Sequence, residues 1–261
     1  MFFRFYNEPG RQLPLPKQTK LRSELMEIAQ TGLHPIPDYQ CLSSRADALD
    51  DKLIVVGYAG TEDNGDITQN RPVAFTSAIY LNIPGVDHPV LHTGLTVAVP
   101  SLQRTGIVMQ LCAHLFLHVA PMHAGGMWVT TLAAVLSSLV QSEKVLYKTH
   151  PSPQNRPPLH AHLAIAHAIN KQYRPSLLIS PDATWDEEHF VFRGSMDWPA
   201  AECFKKDIDD VHFWHRDGGT NAYFHKLMRP GKGDEVLLVG FIDAESVWKA
   251  IEQLQRRKSR L

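Results

Sequence analysis

The chain has 261 residues, 44% hydrophobic and 20% charged, which excludes a disordered or fibrous polymer and allows an ample core. Lys and Arg number 26 against 27 Asp and Glu, so the net charge of −1 gives no global attraction to nucleic acid. Cys41, Cys112 and Cys203 form no CxxC pair, the N-terminal MFFRFYNEPGRQ lacks a signal-peptide core, and no run approaches the roughly 18 apolar residues of a membrane span, so a cytoplasmic protein with no disulfide framework is expected.

Pro9, Pro14 and Pro16 predict an extended lead-in over residues 9 to 16. From Lys17 to Gln30, Leu21, Leu25 and Ile28 recur at helical spacing, and Gly32 and Pro35 stop that helix. A turn-rich segment runs to Asp51. Leu53 to Tyr58 then reads as a strand, the Gly-, Asp- and Asn-rich stretch from Gly60 to Asn70 as a hairpin loop, Pro72 to Ile83 as a second strand and Val90 to Val99 as a third. Three strands with such links predict an antiparallel meander.

A helix follows at about 105 to 119, then a strand at Met127 to Thr131, a helix at Ala133 to Ser142 and a strand at Lys144 to Tyr147. That alternation predicts parallel crossovers beside the meander. The breaker PSPQNRPP, Pro151 to Pro158, reads as the boundary of an insertion spanning about 151–233. Within it, residues 159 to 173 predict a helix, and 176 to 233 are irregular but rich in Trp and Phe, so they pack rather than trail. Glu235 to Phe241 is the clearest late strand. A last helix from Ala244 to Arg257 carries Val247, Ala250, Ile251 and Leu254 on one face, with a basic end at Arg256, Arg257 and Lys258. The expectation is one elaborated α/β (α+β) domain, with its core over about 50–150 and 234–258.

The stretch Leu95 to Cys112 organises the rest. An apolar strand breaks at Pro100, crosses the compact turn Ser101 to Gly106, and resumes as a helix bearing Ile107, Met109, Leu111 and Leu115. Amides left free in a first helical turn, together with the helix dipole, favour an anion there. Gly106 leaves the backbone approachable, and Arg104 offers a charge-assisted contact.

Pro100-Ser-Leu-Gln103-Arg104-Thr105-Gly106-Ile107-Val108 resembles the acyl-CoA-binding signature of the GCN5-related N-acetyltransferase (GNAT) superfamily. Gln103 and Gly106 match its Gln/Arg and Gly, as do Pro100 before them and apolar Leu111 after; Val108 stands where the family usually has a small residue. The resemblance implies a GNAT-like mixed sheet with helices on both faces, and two parallel strands splayed so that a pantetheine arm enters between them. It implies acetyl-CoA or another acyl-CoA as cofactor. Gln103, Arg104, Thr105, Gly106, Ile107 and Val108 would hold the diphosphate, and Val97, Ala98 and Val99 would make backbone contacts. Tyr147 stands near where the family places its tyrosine acid, although the usual asparagine and tyrosine spacing is absent.

Along the third strand, Leu91, Leu95, Val97 and Val99 share one face, and His92, Gly94, Thr96 and Ala98 the other. Gly94 reads as a bulge that splays the strands. His92 titrates in the neutral range and is the leading general base, against a structural histidine. His114 and His118, or His160 and His167, share helix faces, yet no third and fourth ligands accompany them, so no metal is expected. Cys112 reads as an inert thiol. His212, His215, Asp209 and Asp210 suit a polar pocket wall. Hydrolase elbow, Walker and dinucleotide motifs are all missing.

These residues predict an acyltransferase moving an acetyl or other acyl group to an amine or hydroxyl of a small molecule, with the aromatic insertion favouring a bulky or hydrophobic acceptor. Nucleic acid and membrane are not expected as partners, and the oligomeric state is left open. Two alternatives stand beside it. One is non-transfer chemistry on an acyl thioester, such as decarboxylation or rearrangement. The other is a CoA- or ligand-binding module without turnover.

Overall fold

The computed structural model describes residues 1–60 and 70–249. Its contacts divide the chain into two compact units, one over Met1–Tyr80 and Thr93–Met122, the other over Leu81–His92 and His123–Leu261. Both units are discontinuous in sequence, and the division falls inside two strands, at Tyr80/Leu81 and at His92/Thr93.

In the first unit, strand β1 (Phe2–Asn7) precedes a single turn α1 (Pro9–Gln12) and helix α2 (Leu15–Ala29). Strands β2 (Lys52–Ala59), β3 (Arg71–Leu81) and β4 (Val90–Ala98) follow, then helix α3 (Ile107–Val119). The strand order is β1-β2-β3-β4, with β1 and β3 antiparallel to β2. The meander expected from 53 to 99 is therefore present. Its hairpin loop, apart from Gly60 and Asn70, lies outside the described residues.

The lead-in expected at residues 9 to 16 is instead two helices preceded by a strand. The six residues of β1 are all half-buried, so FFRFYN carries no alternation that would mark a strand. Both of its faces are covered. Phe3 and Phe5 stack on His114 and His118 of α3, with ring centroids 4.4 and 4.5 Å apart. On the other face Phe2 stacks on Tyr58, and the Tyr58 hydroxyl donates to Glu24 of α2 at 2.6 Å. Helices thus flank this part of the sheet on both sides, as the alternation of side chains along a strand requires.

The second unit takes the first residues of β4 beside β5 (Met127–Ala133), in parallel, with the Trp128 amide donating to the Pro89 carbonyl at 2.8 Å. Then come α4 (Leu136–Val145), β6 (Tyr147–His150), α5 (His160–Ala168), β7 (Thr184–Asp186), β8 (Val191–Arg193), α6 (Gly218–Leu227) and β9 (Glu235–Ile242). The order is β4-β5-β9-β8-β7.

The crossover strands β5 and β6 are not neighbours, because β9 lies between them. β9 pairs antiparallel with β5 over seven residues, from Met127 opposite Ile242 to Ala133 opposite Val236. Its other edge takes β8 at Glu235 and Val236, then β6 at Val239 and Phe241. All eight residues of β9 are buried, so the most apolar strand occupies the centre, and the four-residue YKTH strand is left to the side.

The helix expected at 159 to 173 forms, widening after Ala168 into a π turn over Ile169–Tyr173. The aromatic segment packs as expected, with Phe190, Phe192 and Phe224 fully buried as core, but it is not irregular throughout, since β7, β8 and α6 fall within it and β8 pairs with β9. The last helix begins at Ala244 with Val247 buried; Ala250, Ile251, Leu254 and the basic end lie outside the described residues.

Candidate functional site

β4 ends at Ala98, and a 3₁₀ turn over Pro100–Leu102 leads into the connection before α3. Arg104 has φ 64° and Gly106 φ 86°, two left-handed residues that reverse the chain within one turn. Gly106 is the N-cap of α3, and no side chain caps that end. A Cβ at Gly106 would meet nothing within 4 Å. Glycine is required there by its φ, and the space in front of it is open.

The amides of this connection divide into two sets. Leu102, Gln103 and Thr105 donate back to Val99, Pro100 and Leu102 at 2.9, 3.2 and 3.3 Å, which holds the turn together. Gln110 donates to the Gly106 carbonyl at 3.2 Å and starts the helical ladder. Among the described residues, the amides of Gly106, Ile107, Val108 and Met109 have no protein acceptor. Gln103, Arg104, Thr105, Gly106 and Val108 are exposed, while Ile107, Leu111, Leu115 and Val119 are buried and anchor the helix beneath them. An open row of donors at the positive end of a 13-residue helix can accept an anion.

Val97, Ala98 and Val99 are buried. The Val99 amide donates to the Val73 carbonyl of β3 at 2.9 Å, so it is not available as the backbone contact expected of it. Alternation along an antiparallel strand turns the Ala98 amide to the opposite edge. Upstream, Gly94 is half-exposed and Thr96 exposed.

His92 is only 2% exposed, and its Nδ1 lies 2.9 Å from the Thr130 hydroxyl. Burial pushes its pKa down to about 4. Those surroundings make it a structural histidine and a weak base. Tyr147 donates its hydroxyl to Asp243 at 2.7 Å, and burial together with that carboxylate raises it to about 12. A phenol held there is a poorer acid than an ordinary thiol near 8.5, the group it was expected to protonate. His114 and His118 are taken up by the β1 phenylalanines. Burial raises Cys112 to about 11. Among the described residues, no group of three His, Cys, Asp or Glu could hold a metal ion.

The late segment holds a wide depression of about 600 Å³ whose lining includes Lys205, Lys206, Asp207 and Asp209. His225 bonds Asp209 at 2.7 Å, and His212 bonds Asp210 at 2.7 Å; of the residues expected in a polar pocket wall, this lining includes Asp209. Phe190, Phe192 and Phe224 are spent on the core, Trp214 is exposed, and this depression is lined largely by charged side chains.

Two buried acids, Asp234 and Glu235, sit at adjacent positions whose surroundings shift them in opposite directions. Burial would raise Asp234, yet hydrogen bonds from Arg229, the Gly194 amide and Arg193 outweigh it and keep its carboxyl below the usual range. Glu235 has one partner, the Ser195 hydroxyl at 2.5 Å, and burial raises it to about 7. The only available signal was a pair of acids opening an apolar run.

No protein-family model matches the chain, and no curated protein sequence does. Among solved structures, it is similar to an acetyltransferase from Vibrio fischeri at 14% identity, covering 49% of this chain and 94% of that one, with a TM-score of 0.31. It is similar to an aminoglycoside 6'-acetyltransferase type Ii at 16% identity, covering 57% and 84%, with a TM-score of 0.36. An aminoglycoside N-acetyltransferase in complex with CoA is similar at 14% identity over 54% and 82%, with a TM-score of 0.32.

Proposed function

We propose that this chain is a GNAT-like, acyl-CoA-dependent acyltransferase, acting on an amine or hydroxyl of a small molecule. The carrying observation is the exposed connection at Gly106, whose amides, with those of Ile107, Val108 and Met109, have no acceptor among the described residues. Its sequence is the one that resembles the acyl-CoA signature. The diphosphate of the carrier would accept from those amides, with Arg104 and Gln103 at its flank. The Ala98 backbone would meet the pantetheine side, since it faces away from β3.

Acyl transfer by direct attack needs the amine to lose a proton and the thiolate to gain one. His92 and Tyr147 are poorly suited to carry them, one by burial and the other by its bond to Asp243. In this reading the protons pass to and from solvent. The same two occupied side chains favour one second reading, a module that binds CoA without turnover.

The test is incubation with acetyl-CoA and a panel of small amines, read by mass spectrometry alongside CoA titration calorimetry. Acylated product with CoA binding supports transfer. Binding with no product supports the second reading, and no CoA binding removes both.

A further inference from the structure

β4 gives its Leu95 amide to a side chain from a distant part of the first unit. Gln40 opens a short 3₁₀ turn at φ 48°, a strained angle for a residue with a side chain, and it is 8% exposed. Its Oε1 accepts from the Ser77 hydroxyl at 2.8 Å and from the Leu95 amide at 3.2 Å. Both groups act as donors here, so the oxygen end of the carboxamide is fixed and the nitrogen end must donate. It does so, to the Tyr39 hydroxyl at 2.8 Å.

The surroundings of Gly94 record the same insertion. A Cβ there would fall 1.8 Å from Gln40 Oε1 and 2.4 Å from both Cδ and Nε2. Gly94 is not in the left-handed region, so its value lies in space rather than in backbone freedom. The Val99 to Val73 bond and the Thr76–Thr96 hydroxyl pair at 2.7 Å set the register of β3 and β4 beyond this point. Continued regularly, that register places Leu95 opposite Ser77. Gln40 sits at that place and accepts from both.

We infer that Gln40 is a positioning residue for acyl transfer, a side-chain wedge that sets the course of β4 from Gly94 to Ala98 and so places the strand end that meets the acyl thioester. This rests on the acyltransferase reading. The wedge itself is a statement about Gln40 and Gly94 alone, so the two are separable by experiment.

Thermal midpoints of the wild type, Q40A, G94A and the double variant test the wedge without any cofactor. The added methyl of G94A should lower the midpoint much less once Gln40 has been truncated; equal losses in both backgrounds overturn the wedge. Q40M keeps the volume and removes the acceptor. With acetyl-CoA and a turned-over amine, its kcat should fall about tenfold or more, while CoA affinity measured by calorimetry stays within about twofold. An unchanged kcat, or a loss of CoA affinity as large as the loss of kcat, overturns the positioning role. A wild type that neither binds CoA nor turns over also overturns it, and in that case the melts still decide the wedge.

Discussion

Two helices of this chain begin in opposite ways. α6 starts at Asp217, whose carboxylate accepts from the Thr220 amide at 3.1 Å and pairs with Lys144 at 2.7 Å, so the helix brings its own anion. The Lys144 contact, with the Thr220 amide, holds Asp217 down at about 2. α3 starts at Gly106 with no side-chain cap. A third place, Gly194 with Arg229, shows the first solution again, since Asp234 accepts from both backbone amides at 2.9 and 3.0 Å. At Asp217 and Asp234 a carboxylate meets the exposed amides, whereas α3, like α2 and α4, starts with no side-chain cap. The amides at Gly106 stand on an exposed turn with open space before it, where an anion can accept from them.

The sharpest break of that comparison is Asp234→Asn. The Asp234 side chain is fully buried against Arg193 and Arg229. Neutralising it takes the anion away from the partly buried Arg193 and the half-exposed Arg229 and should cost about 2 kcal/mol in denaturant unfolding. A loss within error would mean the amides and arginines there need no anion.

Glu235 sharpens the contrast through pH. Its folded pKa near 7 lies above the ordinary 4.5, so its contribution is full below 4.5 and fades as pH rises through 7. His92 and His162, both near 4 when folded against 6.5, act the other way, and stability gained from their neutral forms is lost as pH falls from 6.5 to 4. E235Q should therefore gain stability relative to the wild type as pH rises from 5 to 8. Parallel stability curves for the two proteins would contradict a protonated Glu235.

How much of this was legible follows from where each constraint lies. The three meander strands and the β4-to-α3 turn carry their own local signals, in β-branched runs, Pro100 and Gly106, and they form where expected. β1 gave no alternation because helices cover both of its faces. The seat of β9 between β5 and β6 is a tertiary outcome that no local pattern encodes. His92 looked available because a sequence does not show burial, and Gln40 gave no signal because its partners lie 37 and 55 positions away.

Smaller effects remain. G106A puts an alanine at φ 86°, and the strain should cost about 1 kcal/mol while the open space before it spares a clash. CoA binding should weaken with it, as read by calorimetry; unchanged affinity would detach the cofactor from this turn. Y147F should alter kcat by less than about threefold, since its proton is already given to Asp243. A loss of about a hundredfold would restore the tyrosine as the acid.

The central claim concerns four amides, and two-dimensional nitrogen–proton NMR observes them one by one. On titration with CoA, the resonances of Gly106, Ile107, Val108 and Met109 should move together and saturate, while Thr220 and Gly194, already bound to carboxylates, hold still. Stationary signals at 106 to 109 in the presence of bound CoA would contradict the account.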